Sequence, residues 1–481
     1  MAVSLGLGTV IRLRQYVVGR SLWVDEAALG LNIINRTAPE LLRPLDYLQG
    51  APIGYLLLTR LAVVVAGPGE LALRAVSIVG GLLALLLFAV LARRVLDAWP
   101  AALAVAIIAF APPLIAYSNE LKQYQLDVLA TVVALLLFRR LRAPLTPALA
   151  LAAAAIGSAL VWLSHPSMFV LAAVGLTALV ETARRHDRRS VGLLVGIGGA
   201  WALSIMVIAV FSLDSLMTNA RLLDFWDSGF VPAPLPLLEF ARWLWTKANA
   251  LTSFVLQLSA VALVAAAAGI VRLGRRDRGM LAALLLPIGF ALIAAALRRY
   301  PFADRLLLFT TPLVALLVGE GVGALIDRLR PLGRLTTGAV VAVLLAPALL
   351  QAADLLRAPQ FKEELRPVVA HVAGAWQEGD RLALYYGSFL PFEYYRRTYP
   401  FPDESIIVLE QSRASWSPYF RALDAIVADD GRVWFIFSHV YTEGGASEEA
   451  LLVNYLYQLG YVPTDIFLQP GASAYLFDFS G

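Results

Sequence analysis

The chain has 481 residues, of which 59% are hydrophobic and only 15% are charged. Soluble domains carry about 25% charged residues, so this composition excludes a soluble fold and makes the bilayer part of the solvent. The net charge of +4 is small, and the lack of cysteine excludes disulfides, thiolate metal sites and thiol catalysis.

Eleven apolar runs are long enough to cross a bilayer, which takes about 20 residues. The first is marginal, because Arg12 and Arg14 interrupt it. The stretch 52–67 is also apolar, but Pro52 opens it and Arg60 divides it, so we predict an amphipathic helix in the membrane interface. The eleven runs are 2–18, 70–92, 100–117, 121–138, 147–163, 166–182, 191–212, 249–271, 279–297, 306–325 and 335–352.

Every second loop of this order is rich in arginine, as in 139–142, 184–189 and 272–278. The positive-inside rule assigns such loops to the cytoplasm. We therefore expect a membrane protein with a cytoplasmic N-terminus. The loop 19–69, which carries juxtamembrane helices, and everything after residue 353 are then extracytoplasmic.

The composition changes after residue 353, where charge returns and short β-like runs alternate with helical patterns. This alternation is typical of an α/β domain. We predict a polytopic α-helical module of about eleven transmembrane helices over 1–353 and an extracytoplasmic α/β domain over 354–481. The predicted strands lie at 381–386, 432–437, 461–468 and 473–479, and the helices at 361–377, 415–428 and 447–458.

Two adjacent carboxylates, Asp25 and Glu26, interrupt the apolar stretch SLWVDEAALGLNI of the first outer loop. Ionisable residues in such surroundings are costly and are candidates for a functional site. The structural alternative is a pair of acids in the first turn of a helix, where the helix dipole favours negative charge.

A second group of charges lies in IAYSNELKQYQLDVLA, residues 115–130. Tyr117, Glu120, Tyr124 and Asp127 follow steps of three and four, so we predict one helix face directed at the bundle interior. Lys122 lies near the outer end of the same segment. A snorkelling lysine paired with a structural glutamate would explain Lys122 but not Asp127.

A third group, in RRYPFADRLLLF, places Arg298, Arg299 and Arg305 on the side where topology predicts no excess of cations. Three cations within eight residues suit a phosphate group. Binding of lipid headgroups is the competing interpretation.

Two further features are less specific. His165, in LSHPSMF, lies at an outer helix junction, where a lone histidine is more often structural than catalytic. The loop 213–248 carries Asp224, Phe225, Trp226 and Asp227, which suit either the cover of a site or an aromatic interface belt.

Together these groups predict carboxylates and cations beside lipid at the outer face. A carboxylate can accept a proton from a hydroxyl, and cations can offset the charge of a phosphate leaving group. The combination fits a lipid-phosphate-linked donor. We expect the acids of the first outer loop and the cations of 298–305 to line one pocket.

The residues quoted above resemble the GT-C superfamily of glycosyltransferases, in particular its bacterial branch related to protein O-mannosyltransferases and the lipid A aminoarabinose transferase. This resemblance implies a bacterial plasma-membrane protein. The resemblance covers roughly residues 1–350 and depends on the order of several blocks. The blocks are WVDEA, QGAPIGYLLL, GPGELALR, YSNELKQYQLD and FADRLLLFTTPLVALLVGEG.

The resemblance implies an inverting transfer of a sugar from polyprenyl phosphate, with Asp25 as general base and Glu26 orienting the site. Glu120 matches a second acidic position. No cofactor is required, although Asp25 and Glu120 could share an optional divalent cation. The remaining implied residues are Lys122, Arg299 and Arg305 for the donor phosphate and Tyr55, Arg74, Tyr117, Tyr124, Asp127 and His165 for the substrate pocket.

Other functions remain open at this point. A ligase or polymerase that moves a whole lipid-linked glycan is the alternative within enzymes. A lipid or solute transporter is the rival class, and Asp127 is the residue that favours it. The expected partners are the sugar donor, membrane lipids and a lipid, glycan or protein acceptor, with no nucleic acid.

Overall fold

The computed structural model describes residues 1–213, 219–232, 236–253, 258, 261–329, 334–413, 415–443 and 445–480. The chain forms two compact units, which we call the helical unit and the sheet unit. The helical unit comprises Met1–Val18 and Arg36–Pro359, and the sheet unit comprises Gly19–Asn35 and Gln360–Gly481.

The helical unit consists of apolar helices joined by short connections. Among the described residues, five stretches are long and apolar enough to cross a membrane: Glu70–Val95, Ser167–Arg184, Arg188–Phe211, Arg278–Ala296 and Asp304–Arg328. They support a membrane location, while the count of eleven spans stays a prediction. The helices are Ala2–Val17, Ile53–Ala66, Glu70–Val95, Ala98–Phe110, Pro112–Tyr117, Tyr124–Leu141, Pro147–Leu163, Ser167–Arg184, Arg188–Ile208, Ala220–Phe225, Leu237–Ser253, Val261–Arg276, Arg278–Ala296, Thr311–Leu329 and Arg334–Arg357.

The predicted run 100–117 contains a helix break, between Phe110 and Pro112. Pro112 and Pro113 have no N–H to donate to the carbonyls of Ile108 and Ala109, four residues earlier. The guanidinium of Arg12 donates to these two carbonyls at 3.0 and 2.8 Å. Arg12 is therefore a buried structural donor that satisfies the break, and it explains why a charge interrupts the first apolar run.

Within the run 249–271 the structure describes one helix as far as Ser253 and another from Val261. Residues 254–257 and 259–260 lie outside the described part of the chain. The predicted interfacial stretch 52–67 is confirmed as a helix, Ile53–Ala66.

The sheet unit contains seven described strands: β1 Arg381–Tyr385, β2 Ile406–Leu409, β3 Arg432–Ser438, β4 Thr442–Glu443, β5 Ala446–Ser447, β6 Asp465–Gln469 and β7 Ala472–Asp478. Five of them form a sheet in the order β2-β1-β3-β7-β6, and β4 and β5 form a two-stranded ribbon. Strands β2, β1 and β3 are parallel, whereas β7 is antiparallel to both β3 and β6. Because side chains alternate along a strand, Phe435 and Trp434 of β3 lie on opposite faces of the sheet, and both are buried.

Helices surround the sheet, which confirms the predicted C-terminal sheet domain. Leu423 and Leu452, from two of these helices, pack with Phe435 in one core, while Leu365–Ala375 packs against β3, β6 and β7. The prediction missed β2 and the helix Phe389–Tyr395, because both are short. The helices of this unit are Val24–Asn35, Leu365–Ala375, Phe389–Tyr395, Ser417–Ala428 and Glu448–Gln458.

The compact units differ from the predicted division into 1–353 and 354–481. Residues 19–35 cluster with the C-terminal part of the chain. The physical reason is a set of hydrogen bonds, such as that from the N–H of Leu22 to the hydroxyl of Tyr395 at 2.6 Å. The helix Val24–Asn35 also packs against Phe389–Tyr395.

Candidate active site

The carboxylates Asp25 and Glu26 lie in the first turn of the helix Val24–Asn35. The carbonyl of Trp23 accepts from the N–H groups of Glu26 and Ala27, both at 2.9 Å, and so starts the helix. Glu26 is 0% exposed and Asp25 is half-buried. The alternative interpretation, in which the two acids occupy the first turn of a helix, is thus confirmed for their position. At this position the helix dipole stabilises both negative charges.

A cluster of aromatic and charged groups surrounds Trp23 within the sheet unit. The ammonium of Lys362 lies 4.1 Å from the centroid of the Trp23 ring, a cation–π contact. The His439 ring lies 6.3 Å from it, centroid to centroid. Sequence reasoning missed both residues. The available signal was the segment FKEELRPVV, where a second pair of adjacent acids, Glu363 and Glu364, appears as charge returns.

In the helical unit, Glu120 and Lys122 lie in a buried turn. The helix before this turn ends at Tyr117 and the next begins at Tyr124, so the prediction that Tyr117, Glu120, Tyr124 and Asp127 share one helix face is wrong. Tyr117 and Tyr124 nevertheless meet across the turn, with ring centroids 4.9 Å apart. The break follows from a polar run whose side chains bond to backbone carbonyls instead of extending the helix, as Asn119 does to Ile115 at 2.8 Å.

Lys122 is buried, with 6% of its surface exposed, and both its side chain and its backbone are hydrogen-bonded. Its ammonium donates to the side-chain oxygen of Gln49 at 2.8 Å. Its carbonyl accepts from the hydroxyl of Ser77 at 2.9 Å, which in turn lies 3.2 Å from the hydroxyl of the fully buried Tyr55. Tyr55 therefore belongs to the support of Lys122, and Glu120, 1% exposed, lies in the same turn.

A glycine permits the close approach of this turn to the helix Glu70–Val95. A Cβ atom on Gly81 would lie 3.0 Å from Ser118 Cβ and would clash with the Ser118 hydroxyl, whereas a Cβ on the neighbouring Gly80 would make an ordinary contact of 3.5 Å with Leu126. We expect Gly81→Ala to destabilise the protein by about 1–3 kcal/mol through overpacking. Gly80→Ala is the matched control and should be neutral or stabilising, because alanine favours a helix over glycine. Thermal unfolding of both variants in detergent checks this, and equal melting temperatures would contradict it.

Asp127 is 4% exposed, and within the described part of the chain its Oδ1 atom has no hydrogen-bond partner. The Ser164 side chain lies next to it, and Tyr300 lies within electrostatic range of both Asp127 and Tyr124. His165 follows Ser164 in the turn between two helices. Desolvation lowers the pKa of His165 to about 4, so its imidazole is neutral near pH 7 and supplies no cation for a phosphate.

The segment 298–305 carries the predicted cations and contacts the described part of the loop 213–248. Arg298 pairs with Asp227 at 2.8 Å, and the Arg305 guanidinium carbon lies 5.5 Å from the centroid of the Trp226 ring. Arg299 is exposed. The described part of this loop therefore contacts the arginine segment, while residues 214–218 and 233–235 lie outside the described residues.

The structure thus brings the predicted residues together in two groups. Arg74, 2% exposed, lies near Tyr16, on the same helix as Ser77. Within the described ranges, no three His, Asp or Glu side chains are grouped so as to hold a metal ion, and the optional divalent cation stays a prediction. The expectation that the acids of the first outer loop and the cations of 298–305 line one pocket also stays a prediction. The group in the sheet unit contains Asp25 and Glu26, and the group in the helical unit contains Tyr55, Tyr117, Glu120, Lys122, Tyr124 and Asp127, next to Tyr300 of the arginine segment.

No protein-family model and no curated protein matches the chain. Among solved structures, apo ArnT from Cupriavidus metallidurans is 15% identical over 99% of this chain and 98% of its own, with a TM-score of 0.51. The same protein bound to undecaprenyl phosphate is 13% identical over 100% and 98%, with a TM-score of 0.50. AglB from Archaeoglobus fulgidus, an oligosaccharyltransferase in complex with an inhibitory peptide and a dolichol-phosphate, is 14% identical over 90% and 69%, with a TM-score of 0.48.

ArnT, a lipid A aminoarabinose transferase, and AglB are both members of the GT-C superfamily. At these identities the likeness concerns the fold alone. It extends over nearly the whole of this chain and of ArnT, and so includes the sheet domain that follows the helices. The chain shares the fold of ArnT, in agreement with the resemblance of its sequence.

Proposed function

We propose that the protein is a membrane glycosyltransferase that transfers a sugar from a polyprenyl-phosphate donor to an acceptor hydroxyl on the extracytoplasmic side. The observation that carries the proposal is the pair Asp25 and Glu26 at a helix start, in a chain that shares its fold, end to end, with ArnT bound to undecaprenyl phosphate. A soluble nucleotide-sugar enzyme would need neither the apolar helices nor carboxylates in such an apolar sequence.

In the proposed reaction Asp25 is the general base. It removes the proton of the acceptor hydroxyl while that oxygen bonds to the anomeric carbon from the face opposite the phosphate. The bond between the anomeric carbon and the phosphate oxygen breaks, and polyprenyl phosphate leaves with the electron pair. The half-buried position of Asp25 suits a base that must meet a substrate, and the fully buried Glu26 suits an orienting role.

Cations offset the charge that develops on the departing phosphate. We assign this role to Lys122, Arg305 and Arg299. The hydrogen bond of Lys122 to Gln49 and the stacking of Arg305 on Trp226 hold two of these cations in place before substrate binds. Lys122 acts as a point charge, whereas Arg305 can form two parallel bonds to phosphate oxygens.

The side of the membrane is the second part of the proposal. The arginine-rich loops favour a cytoplasmic N-terminus and an extracytoplasmic sheet unit in a bacterial plasma membrane. Since the chain has no cysteine of its own, single substitutions at exposed positions report the orientation cleanly. An impermeant maleimide applied to intact cells should label Glu378→Cys and leave Arg188→Cys unlabelled; the reverse pattern would overturn the orientation.

The decisive experiment for the function offers purified protein a panel of radiolabelled polyprenyl-phosphate sugars. We expect one sugar to be consumed with release of polyprenyl phosphate, and we expect Asp25→Asn protein to consume it at least about a hundredfold more slowly. Consumption of lipid-linked oligosaccharides alone would favour the ligase alternative.

The buried Asp127 favours a second candidate, transport, because ionisable groups within membrane segments often carry ions or protons. Substrate counterflow in proteoliposomes that depends on Asp127 and persists in Asp25→Asn protein would support transport instead of transfer.

A further inference from the structure

The segment that precedes Asp25 is held by side chains from the far end of the chain. The N–H of Ser21 donates to Glu364 at 3.1 Å, and that of Leu22 donates to the Tyr395 hydroxyl at 2.6 Å. The N–H of Val24, the first residue of the helix, donates to Oε2 of Glu363 at 3.1 Å. Helix starts leave such N–H groups unsatisfied, so Glu363 caps the helix of Asp25 from a remote position in the sequence.

Glu363 uses its second oxygen for a different partner. Its Oε1 atom lies 2.7 Å from Nδ1 of His439, while Glu363 itself is 9% exposed. His439 follows strand β3 in a left-handed conformation, with φ of 51°, which a residue with a side chain adopts only when its surroundings require it. One carboxylate therefore joins the imidazole to the backbone one residue before Asp25.

The charges around His439 come from three elements. Glu363 and Lys362 lie in the segment before the helix Leu365–Ala375, Asp25 lies at the start of its own helix, and Arg413 follows strand β2. The pKa of His439 is raised, above all by the hydrogen bond to Glu363 and further by the negative charges of Glu363 and Asp25. Desolvation and the positive charge of Arg413 act in the opposite direction and lower this pKa. The imidazole is therefore a better cation than an isolated histidine, and it lies within electrostatic range of Asp25.

We propose that Glu363 and His439 are positioning residues for Asp25: Glu363 fixes the backbone from which the carboxylate projects, and the imidazolium of His439 keeps that carboxylate ionised. The sheet unit thereby acquires a role in the reaction. This inference rests on the proposed function, in which Asp25 is the base.

The kinetic test compares His439→Gln with His371→Gln in the full-length protein. His371 is the matched control, because it pairs with Asp465 at 2.9 Å elsewhere in the same unit. Loss of a nearby cation makes a carboxylate harder to ionise. We expect His439→Gln to move the acid limb of kcat/KM to higher pH by about half a unit, with kcat lowered several-fold and the KM for donor within twofold of wild type. His439→Arg, which restores the cation, should restore the limb, and His371→Gln should leave it in place.

A second readout needs no activity. Hydrogen exchange of residues 19–35 in the full-length protein should be about tenfold faster in Glu363→Gln, which weakens the cap, than in wild type. If wild-type protein transfers no sugar, the proposed function fails, and the exchange data still decide the positioning role of Glu363. If exchange is unchanged in Glu363→Gln and the pH profiles of His439→Gln and wild type coincide, the inference is overturned even when transfer is observed.

Discussion

Asp25→Asn is expected to lower the rate of sugar transfer by about 10²- to 10⁴-fold, the range that a general base contributes. The amide has nearly the shape of the carboxylate but cannot accept the proton of the acceptor hydroxyl. Because Asp25 is half-buried and the backbone around it is fixed by Glu363 and Tyr395, the variant should fold and bind donor normally.

Single-turnover transfer from a labelled donor measures this effect, and binding of polyprenyl phosphate provides the folding control. Asp46→Asn is a matched substitution, because Asp46 is an exposed acid of the same outer loop that pairs with Arg36 at 2.8 Å. Its rate should stay within about twofold of wild type, as for most surface changes. Turnover retained in Asp25→Asn would remove Asp25 from the role of base.

The second large effect is expected from Arg305→Ala, which should weaken binding of undecaprenyl phosphate by about 10- to 100-fold, the cost of a charge-assisted hydrogen bond. Arg305→Lys should recover part of this affinity, because it keeps the charge but loses the two-pronged geometry of a guanidinium. Fluorescence titration over a range of salt concentrations separates the contribution of charge from that of packing against Trp226.

Arg298→Ala is the comparison for this experiment. It removes the same charge from the same segment, but Asp227 already offsets that charge at 2.8 Å, so we expect a smaller loss of affinity. Equal affinities in wild type and Arg305→Ala, together with weaker adsorption of Arg305→Ala to anionic vesicles, would instead favour binding of lipid headgroups by this segment.

The sequence predicts much of the secondary structure because periodicity and length are local properties. It could not predict that residues 118–123 form a turn, since Tyr117, Glu120, Tyr124 and Asp127 keep a helical spacing across them. The competing bonds to backbone carbonyls, such as that of Asn119, are visible only in the structure. Arg12 illustrates the same limit. It weakens the first apolar run, and its partners, the carbonyls of Ile108 and Ala109, become available only because a helix breaks far along the chain.

The arginine-rich loops show a different limit. Membrane topology explains why these loops are positively charged, but it does not predict which groups their arginines bind. Arg142, for example, forms ion pairs with Glu181 at 2.9 Å and with Asp277 at 2.6 Å. It thereby ties together the ends of three helices. The positive-inside rule counts only the Lys and Arg residues of each loop, so it cannot distinguish such a residue from an arginine that only fixes the orientation of the protein in the membrane. For the candidate site, sequence reasoning found Asp25 and Lys122 as charges in apolar stretches, but it could not find His439, whose relation to Asp25 exists only in three dimensions.

The pairing of Ser21 with Glu364 joins residues 343 positions apart, which has a consequence for biosynthesis. At about 5–20 residues per second, the ribosome needs on the order of 20–70 s after making the Asp25 segment before it supplies the partners of that segment. During this interval the helices can enter the bilayer, but residues 19–35 do not yet have the partners with which they pack in the folded protein. The nascent polypeptide therefore lacks the partners that hold the Asp25 segment until translation is nearly complete, and a chain released before residue 360 would not contain them.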